Sequence, residues 1–200
     1  MGTIWDLAIV DPPYGIDLAN MNMGAGNKPK HCNKKRRGFD AKDWDGEAPE
    51  KEYFDELERV SKNQIIWGGN YFELGVCYGF CIWDKGSPEG MSFSDCEFAW
   101  HSFRKVAKLF KCSTYLNKGK KIHPTQKPVK LYRWLLKNYA KPNQSILDTH
   151  GGSMSHAIAI HDVNIALNMN LTLDICEIDT DYFNDAVKRF KTHIAQGQLF

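Results

Sequence analysis

The stretch QSILDTHGGSMSHAIAIHD (144–162) joins an apolar run, a pair of glycines and a second apolar run of helical length. Its first five residues, 144–148, predict a short buried strand that ends at an aspartate. Residues 149–162 predict a glycine turn that leads into a helix. A strand that passes through a glycine turn into a helix is typical of α/β domains with a mostly parallel sheet.

The rest of the chain continues this alternation of strands and helices. Short apolar runs predict further strands at 4–10, 63–69, 79–85, 96–103 and 171–179. Apolar residues at helical spacing predict further helices at 49–62, 127–142 and 181–195. The last helix is expected to bury Phe183, Val187, Phe190 and Ile194. Together these elements predict one α/β domain over 1–200, with a doubly wound, mostly parallel sheet and a long flexible basic loop at about 15–47.

Composition is that of a globular protein, with 42% hydrophobic and 25% charged residues. No apolar stretch has the length of a membrane span, and the N-terminus has no signal-peptide pattern. We therefore expect a cytoplasmic protein that does not contact a membrane. The six cysteines lack the spacing of a zinc site, so we expect reduced thiols and no metal.

Basic residues are concentrated in two runs. Residues 28–37 and 104–121 hold half of the 26 Lys and Arg residues and none of the 24 Asp and Glu residues. The rest of the chain is therefore acidic, although the net charge is only +2. Two basic runs on an acidic body favour a polyanionic partner, and nucleic acid is the common one.

The first predicted strand ends in IVDPPYGID (9–17). Pro12 and Pro13 have a fixed φ and no N–H, so they hold the carbonyls of Asp11 and Pro12 in a rigid bend. A carboxylate and a carbonyl held in this way can accept both hydrogens of an aromatic amino group. That keeps electron density on the nitrogen, and Tyr14 can stack on the ring that carries it.

Two further strands also end in functional groups, and the carboxyl ends of parallel strands are where ligands bind. Asp148 opens a glycine loop whose backbone can approach a ligand closely. Glu177 ends the next strand and can accept both hydroxyls of a ribose. The two features indicate an adenosyl cofactor, and the absence of a Gly-x-Gly-x-x-Gly pattern disfavours a dinucleotide.

With these motifs the chain resembles the β class of DNA amino-methyltransferases, and within it the phage and prophage members. The resemblance rests on the Asp-Pro-Pro-Tyr motif, 52–72, HPTQKP (123–128), 146–153 and 176–179. These enzymes use S-adenosylmethionine to make N6-methyladenine or N4-methylcytosine in DNA. The resemblance implies a Rossmann-like methyltransferase fold, circularly permuted so that the catalytic motif precedes the cofactor loop.

The resemblance also implies roles for individual residues. Asp11, Pro12, Pro13 and Tyr14 would be catalytic. The cofactor would be held by His123, Pro124, Thr125, Gln126, Lys127, Asp148, Thr149, His150, Gly151, Gly152, Ser153 and Glu177. Double-stranded DNA would be bound through Lys34, Lys35, Arg36, Arg37, Lys111, Lys118, Lys120 and Lys121. Aspartate at the first motif position favours N6 of adenine as the target.

Three departures from the family pattern keep alternatives open. Met154 stands where the family's loop commonly has a glycine, and its side chain could crowd the cofactor. The strand and helix that precede the catalytic strand in many relatives are not in this sequence. The segment at about 86–121 is short for DNA recognition, so the 15–43 loop or a partner subunit could contribute. The alternative functions are an N4-cytosine methyltransferase and a non-catalytic DNA-binding module. As partners, a second copy of the chain in a homodimer and a cognate restriction enzyme are both compatible with the resemblance.

Overall fold

The computed structural model describes residues 4–16, 47–87, 94–113 and 121–197. Its strands are β1 (Leu7–Val10), β2 (Gln64–Trp67), β3 (Phe80–Asp84), β4 (Cys96–His101), β5 (Lys108–Lys111), β6 (Ser145–Asp148) and β7 (Thr172–Ile175). Its helices are α1 (Lys51–Val60), α2 (Val129–Tyr139), α3 (Ser155–Leu167) and α4 (Thr180–Ala195). The predicted basic loop at 15–47 lies almost wholly outside these residues.

The strands of the described residues form one sheet in the order β5-β3-β4-β2-β1-β6-β7. β1 pairs in parallel with β2 on one side and with β6 on the other, and β6 pairs in parallel with β7. β4 is antiparallel to both of its neighbours and is the reversed strand in this sheet. The chain extends the sheet first to one side of β1 and later to the other. The carboxyl ends of β1 and β6 therefore lie at a topological switch point, where such sheets bind ligands.

The core is divided into two layers by β1. Leu7 and Ile9 face a cluster that contains residues of α2 and α3, whereas Ala8 and Val10 face a cluster that contains residues of α1. All four residues are at most 1% exposed, as expected for a central strand covered on both faces. This arrangement confirms the predicted α/β fold with a doubly wound, mostly parallel sheet.

Two predictions of local structure were wrong. β5 lies in the basic run 104–121, which was not predicted to contain a strand; its alternating Lys and apolar residues give a half-exposed edge strand. On α4, Phe183 and Ile194 are each 41% exposed and Val187 and Phe190 are partly buried, whereas Tyr182 and Ala186 are buried. The buried face is rotated because Tyr182 packs against His123 of the HPTQKP loop, with ring centroids 4.3 Å apart.

Among the described residues no helix is both long enough and apolar enough to cross a membrane.

Candidate active site

One cavity of about 270 Å³ lies at the carboxyl edge of the sheet. The loops that follow β1, β6 and β7 reach it, together with the HPTQKP loop that precedes α2. The predicted site residues that line it are Asp11, Pro13, His123, Thr125, Gln126, Lys127, His150, Gly151, Gly152, Ser153 and Glu177. Motifs that are far apart in the sequence are therefore brought together around one space.

Asp148, although predicted to hold the cofactor, does not line this cavity. Its Oδ1 accepts a hydrogen bond from the backbone N–H of His150 at 3.0 Å, and its Oδ2 lies 3.0 Å from Nδ1 of buried His156. Thr149 is also outside the lining, and its Oγ1 lies 2.7 Å from the hydroxyl of Tyr53. Both residues fix the start of the loop rather than contact the cavity. Pro12, Tyr14 and Pro124 are likewise absent from its lining.

The carboxylate of Asp11 has a hydrogen-bond donor on each oxygen. The hydroxyl of Tyr14 donates to Oδ1 at 2.8 Å, and Nζ of Lys127 donates to Oδ2 at 2.5 Å. The same Nζ lies 3.0 Å from Oε2 of Glu97. Lys127 was predicted to hold the cofactor. In the structure it lines the cavity, but its ammonium group lies between two carboxylates.

Electrostatics distinguish the two carboxylates. Burial raises the pKa of Asp11, the Lys127 ammonium lowers it and the Glu97 carboxylate raises it again, so it ends above its ordinary value. Burial also raises the pKa of Glu97, but the two ammonium groups of Lys127 and Lys85 outweigh it, and that pKa ends below its ordinary value. Burial lowers the pKa of Lys127, and the two carboxylates raise it above its ordinary value. The surroundings therefore shift the pKa values of the two carboxylates in opposite directions.

The ring of Tyr14 already takes part in a stack. It lies parallel to the half-exposed ring of Tyr71, with centroids 5.0 Å apart and planes 15° apart. Gly68, which has a φ of +71°, lies against the Tyr14 ring so closely that a Cβ there would come within 2.2 Å of a ring atom. Glycine is required at 68 both by the left-handed backbone and by this contact.

The glycine loop is tied to Glu177 by its backbone. The N–H of Gly152 donates to Oε2 of Glu177 at 2.7 Å, and the N–H of Asp179 donates to Oε1 at 2.8 Å. Each carboxylate oxygen can accept more than one hydrogen bond, so Glu177 keeps acceptor capacity toward the cavity that it lines. The acid thus orders the loop and presents its oxygens to the same space.

Met154 has a left-handed backbone, with φ of +52°, and its side chain is 5% exposed. Met154 is not part of the cavity lining, so its side chain does not occupy the space in which it was predicted to crowd the cofactor. Beside it, Nη1 of Arg189 donates to the carbonyl of Ser153 at 2.6 Å and to Oγ of Ser155 at 3.0 Å. An arginine of α4 therefore holds the end of the glycine loop.

Sequence reasoning missed Glu97, because its run was interpreted only as a strand. β4 is reversed, so the residues at its start, not at its end, lie at the carboxyl edge of the parallel strands. The connection between β3 and β4 was the available signal: it is rich in Gly, Ser and Pro, lacks a helical pattern and has 11 residues, whereas a parallel crossover needs about a dozen or more, usually with a helix. Tyr132 of α2 and Tyr182 of α4, which also line the cavity, were missed as well.

Two of the predicted DNA-contacting residues belong to the described part of the chain. Lys111 is exposed at the end of β5, with its Nζ 3.3 Å from Oδ2 of Asp84, and exposed Lys121 lies two residues before His123 of the HPTQKP loop. The predictions for Lys34, Lys35, Arg36, Arg37, Lys118 and Lys120 fall outside the described residues.

A family model of DNA methylases, of the N6 and N4 type, matches residues 66–188. The chain belongs to this DNA methylase family. The match includes the HPTQKP loop, the glycine loop and Glu177, whereas the Asp-Pro-Pro-Tyr motif precedes it. No match was found among curated protein sequences.

Solved structures show the same fold. The crystal structure of the M1.HpyAVI–SAM complex is 19% identical in sequence, covers 94% of this chain and 90% of its own, and has a TM-score of 0.56. The cytosine-N4-specific PvuII DNA methyltransferase is 11% identical, covers 98% of this chain and 86% of its own, and has a TM-score of 0.55. The fold of this DNA methylase is thus that of solved methyltransferase structures.

Proposed function

We propose that this DNA methylase moves the methyl group of S-adenosylmethionine to the exocyclic N6 of an adenine that has been flipped out of double-stranded DNA. S-adenosylmethionine is the cofactor. The observation that carries the proposal is that Asp11, Glu177 and the glycine loop line one cavity. A group that accepts hydrogen bonds from an amine and the groups expected to hold the methyl donor therefore face the same space.

The residues present fit this cofactor. Glu177 offers carboxylate oxygens to the ribose hydroxyls, and the loop of Gly151, Gly152 and Ser153 lets the ligand approach the backbone. His123, Thr125 and Gln126 line the same cavity from the HPTQKP loop. The cofactor supplies an electrophilic methyl group on a positively charged sulfur. Asp11 and the carbonyl of Pro12 would hold the amine, and Asp11 would receive the proton that the methylated amine loses.

Adenine as the target rests on aspartate at the first motif position, as the resemblance implies. Contacts with the DNA phosphates would come from the basic runs, which supply affinity but no choice of sequence. Flipping a base costs a few kcal/mol, which the contacts with Asp11, Pro12 and Tyr14 would offset. The phage relationship, a homodimer, a cognate restriction enzyme and a cytoplasmic location stay predictions.

The test is methyl transfer from labelled S-adenosylmethionine to unmethylated genomic DNA, followed by digestion to nucleosides and separation by mass. We expect label in N6-methyldeoxyadenosine. Label in N4-methyldeoxycytidine would show that the scaffold acts on cytosine instead. Absence of label in DNA, from protein shown to be folded, would contradict the proposal. Absence of cofactor binding by calorimetry as well would favour a non-catalytic DNA-binding module that has lost the cofactor.

A further inference from the structure

The ammonium group of Lys127 poses a problem for the proposed chemistry. It lies 2.5 Å from Oδ2 of Asp11, the carboxylate that has to accept hydrogen bonds from the target amine. As the amine nitrogen bonds the methyl carbon, the carbon–sulfur bond breaks with its electron pair on sulfur, and one amine proton must leave. A lysine cation held wholly by Asp11 would neutralise the group that is to stabilise the developing charge and take that proton.

Glu97 provides a second position for the same cation. Its Oε2 lies 3.0 Å from Nζ of Lys127, whose side chain is only 3% exposed. The other oxygen, Oε1, lies 2.9 Å from Nζ of Lys85, so the Glu97 carboxylate has an ammonium group near each oxygen. The reversed direction of β4 is what brings Glu97 to this edge of the sheet. A buried ammonium group that lies between two carboxylates can pair with either of them after only a small movement of its nitrogen atom.

We propose that Glu97 is a positioning residue that shares the Lys127 ammonium with Asp11, so that Asp11 keeps enough negative charge to bind the target amine and receive its proton. This inference rests on the proposed function. Glu97 does not touch substrate or cofactor in this scheme; it acts through Lys127. Because Glu97 attracts part of the Lys127 ammonium, Asp11 keeps more of its own negative charge for the amine than it would if the lysine paired with Asp11 alone.

Other groups around Asp11 do not replace Glu97. Tyr14 donates a hydrogen bond to it, and Tyr53 of α1, Tyr132 of α2 and His150 of the glycine loop face it electrostatically. Burial raises the pKa of both Tyr53 and Tyr132, which keeps these phenols neutral, and burial lowers the pKa of His150, which favours the neutral imidazole. Burial is the largest cause of the raised pKa of Asp11, and among these neighbours Lys127 and Glu97 are the charged pair that modifies it.

The test is Glu97→Gln, which keeps the shape of the side chain and removes its charge. We expect kcat for methyl transfer to unmethylated DNA to fall at least about tenfold, since part of the acid–base contribution is lost. The KM for DNA and the Kd for S-adenosylmethionine, measured by calorimetry, should stay within about twofold because neither ligand contacts Glu97. The acid limb of the kcat–pH profile should move to lower pH, because a neighbouring negative charge no longer raises the pKa of Asp11.

Two further variants keep the inference open to refutation. Glu97→Asp retains the charge and should restore kcat and the acid limb toward those of the unaltered protein. Glu56→Gln removes an exposed carboxylate that pairs with Arg59 on α1, and it should change none of these quantities. Unchanged kcat and pH profile in Glu97→Gln would overturn the inference alone, as would a Glu97→Asp variant no better than Glu97→Gln. No transfer by the unaltered protein would overturn the proposed function instead.

Discussion

Asp11 is held by partners that come from both near and far in the sequence. Tyr14 lies three residues away, within the same rigid turn, whereas Lys127 comes from the loop before α2. The local partner is explained by the two prolines, which fix the distance between the carboxylate and the ring. The distant partner explains why loss of Asp11 should leave the site assembled, because Lys127 retains Glu97 as its counter-ion.

Replacement of Asp11 by alanine should abolish methyl transfer while leaving the cofactor site intact. We expect kcat to fall at least about a hundredfold, since the proposed acceptor of the amine proton and of its hydrogen bonds is lost. The Kd for S-adenosylmethionine, measured by calorimetry, should change by less than about twofold. Retained turnover in this variant would refute the assigned role of Asp11.

Replacement of Glu177 by alanine should mainly weaken the binding of S-adenosylmethionine. The variant loses the proposed ribose acceptor and also the carboxylate that accepts the N–H of Gly152, so the glycine loop is less well ordered. We expect the Kd for S-adenosylmethionine to rise about tenfold, equivalent to about 1.4 kcal/mol. Calorimetry on this variant and on Glu56→Ala as a surface control would show the difference; equal affinities would argue against ribose binding by Glu177.

At Met154, backbone strain and side-chain burial have opposite effects on the stability of the folded protein, and their sizes can be compared. A glycine there would relieve the left-handed backbone, worth about 1–2 kcal/mol. It would also remove a side chain that is 5% exposed, and loss of a buried methionine costs roughly 2–5 kcal/mol. We therefore expect Met154→Gly to lower the midpoint of thermal unfolding. A higher midpoint would mean that backbone strain outweighs side-chain burial at this position.

At the scale of the elements, one carboxylate connects three helices. Asp162 of α3 is buried, with its Oδ2 in an ion pair with Arg133 of α2 and its Oδ1 2.7 Å from Nε2 of His193 of α4. Burial raises the pKa of Asp162, but the hydrogen bonds from His193 and Arg133 outweigh burial and leave it below its ordinary value. A carboxylate with a lowered pKa stabilises the folded state while it is ionised.

Asp162→Asn should therefore destabilise the helical layer in a pH-dependent way. At pH 7 we expect the free energy of unfolding in urea to fall by about 3 kcal/mol, as when one partner of a buried ion pair is removed. Above the unfolded-state pKa of about 3.9 the full difference should persist, and it should shrink as the pH falls through the lower folded-state value. Asp55→Asn, which breaks the exposed pair with Lys51, should be indistinguishable from the unaltered protein. A difference between the Asp162 variant and the unaltered protein that did not depend on pH would contradict an ionised Asp162.

Elements were predictable from sequence where the local signal and the tertiary environment agree. The apolar run before Asp11 forms β1, and the apolar run before the glycine turn forms β6. Both strands end at the predicted residues. β5 was not predictable, because an edge strand with exposed lysines lacks a strong apolar signal. The buried face of α4 was not predictable either. The orientation of α4 depends on the contact of Tyr182 with His123, which no local pattern contains.

At the scale of the whole molecule, the candidate site was predictable to the extent that it lies at strand ends. Asp11, Gly151 and Glu177 could be grouped because the carboxyl ends of parallel strands meet at one edge. Glu97 was not grouped with them, because its position depends on β4 running against its neighbours, which only the connection between β3 and β4 indicates. Most of the site therefore lies at the carboxyl ends of parallel strands, as expected, whereas Glu97 reaches the same edge from the start of an antiparallel strand.

The parallel rings of Tyr14 and Tyr71 have a thermodynamic consequence for substrate exchange. An extrahelical base that stacks on the face of Tyr14 now covered by Tyr71 must exchange with that ring rather than cover an empty surface. The gain is then the difference between two stacks, and not the whole of the roughly 1–3 kcal/mol that one base–aromatic stack is worth. Stacking on that face of Tyr14 would then recover little of the cost of flipping the base. The hydrogen bonds to Asp11 and Pro12 would have to supply more of the free energy that holds it.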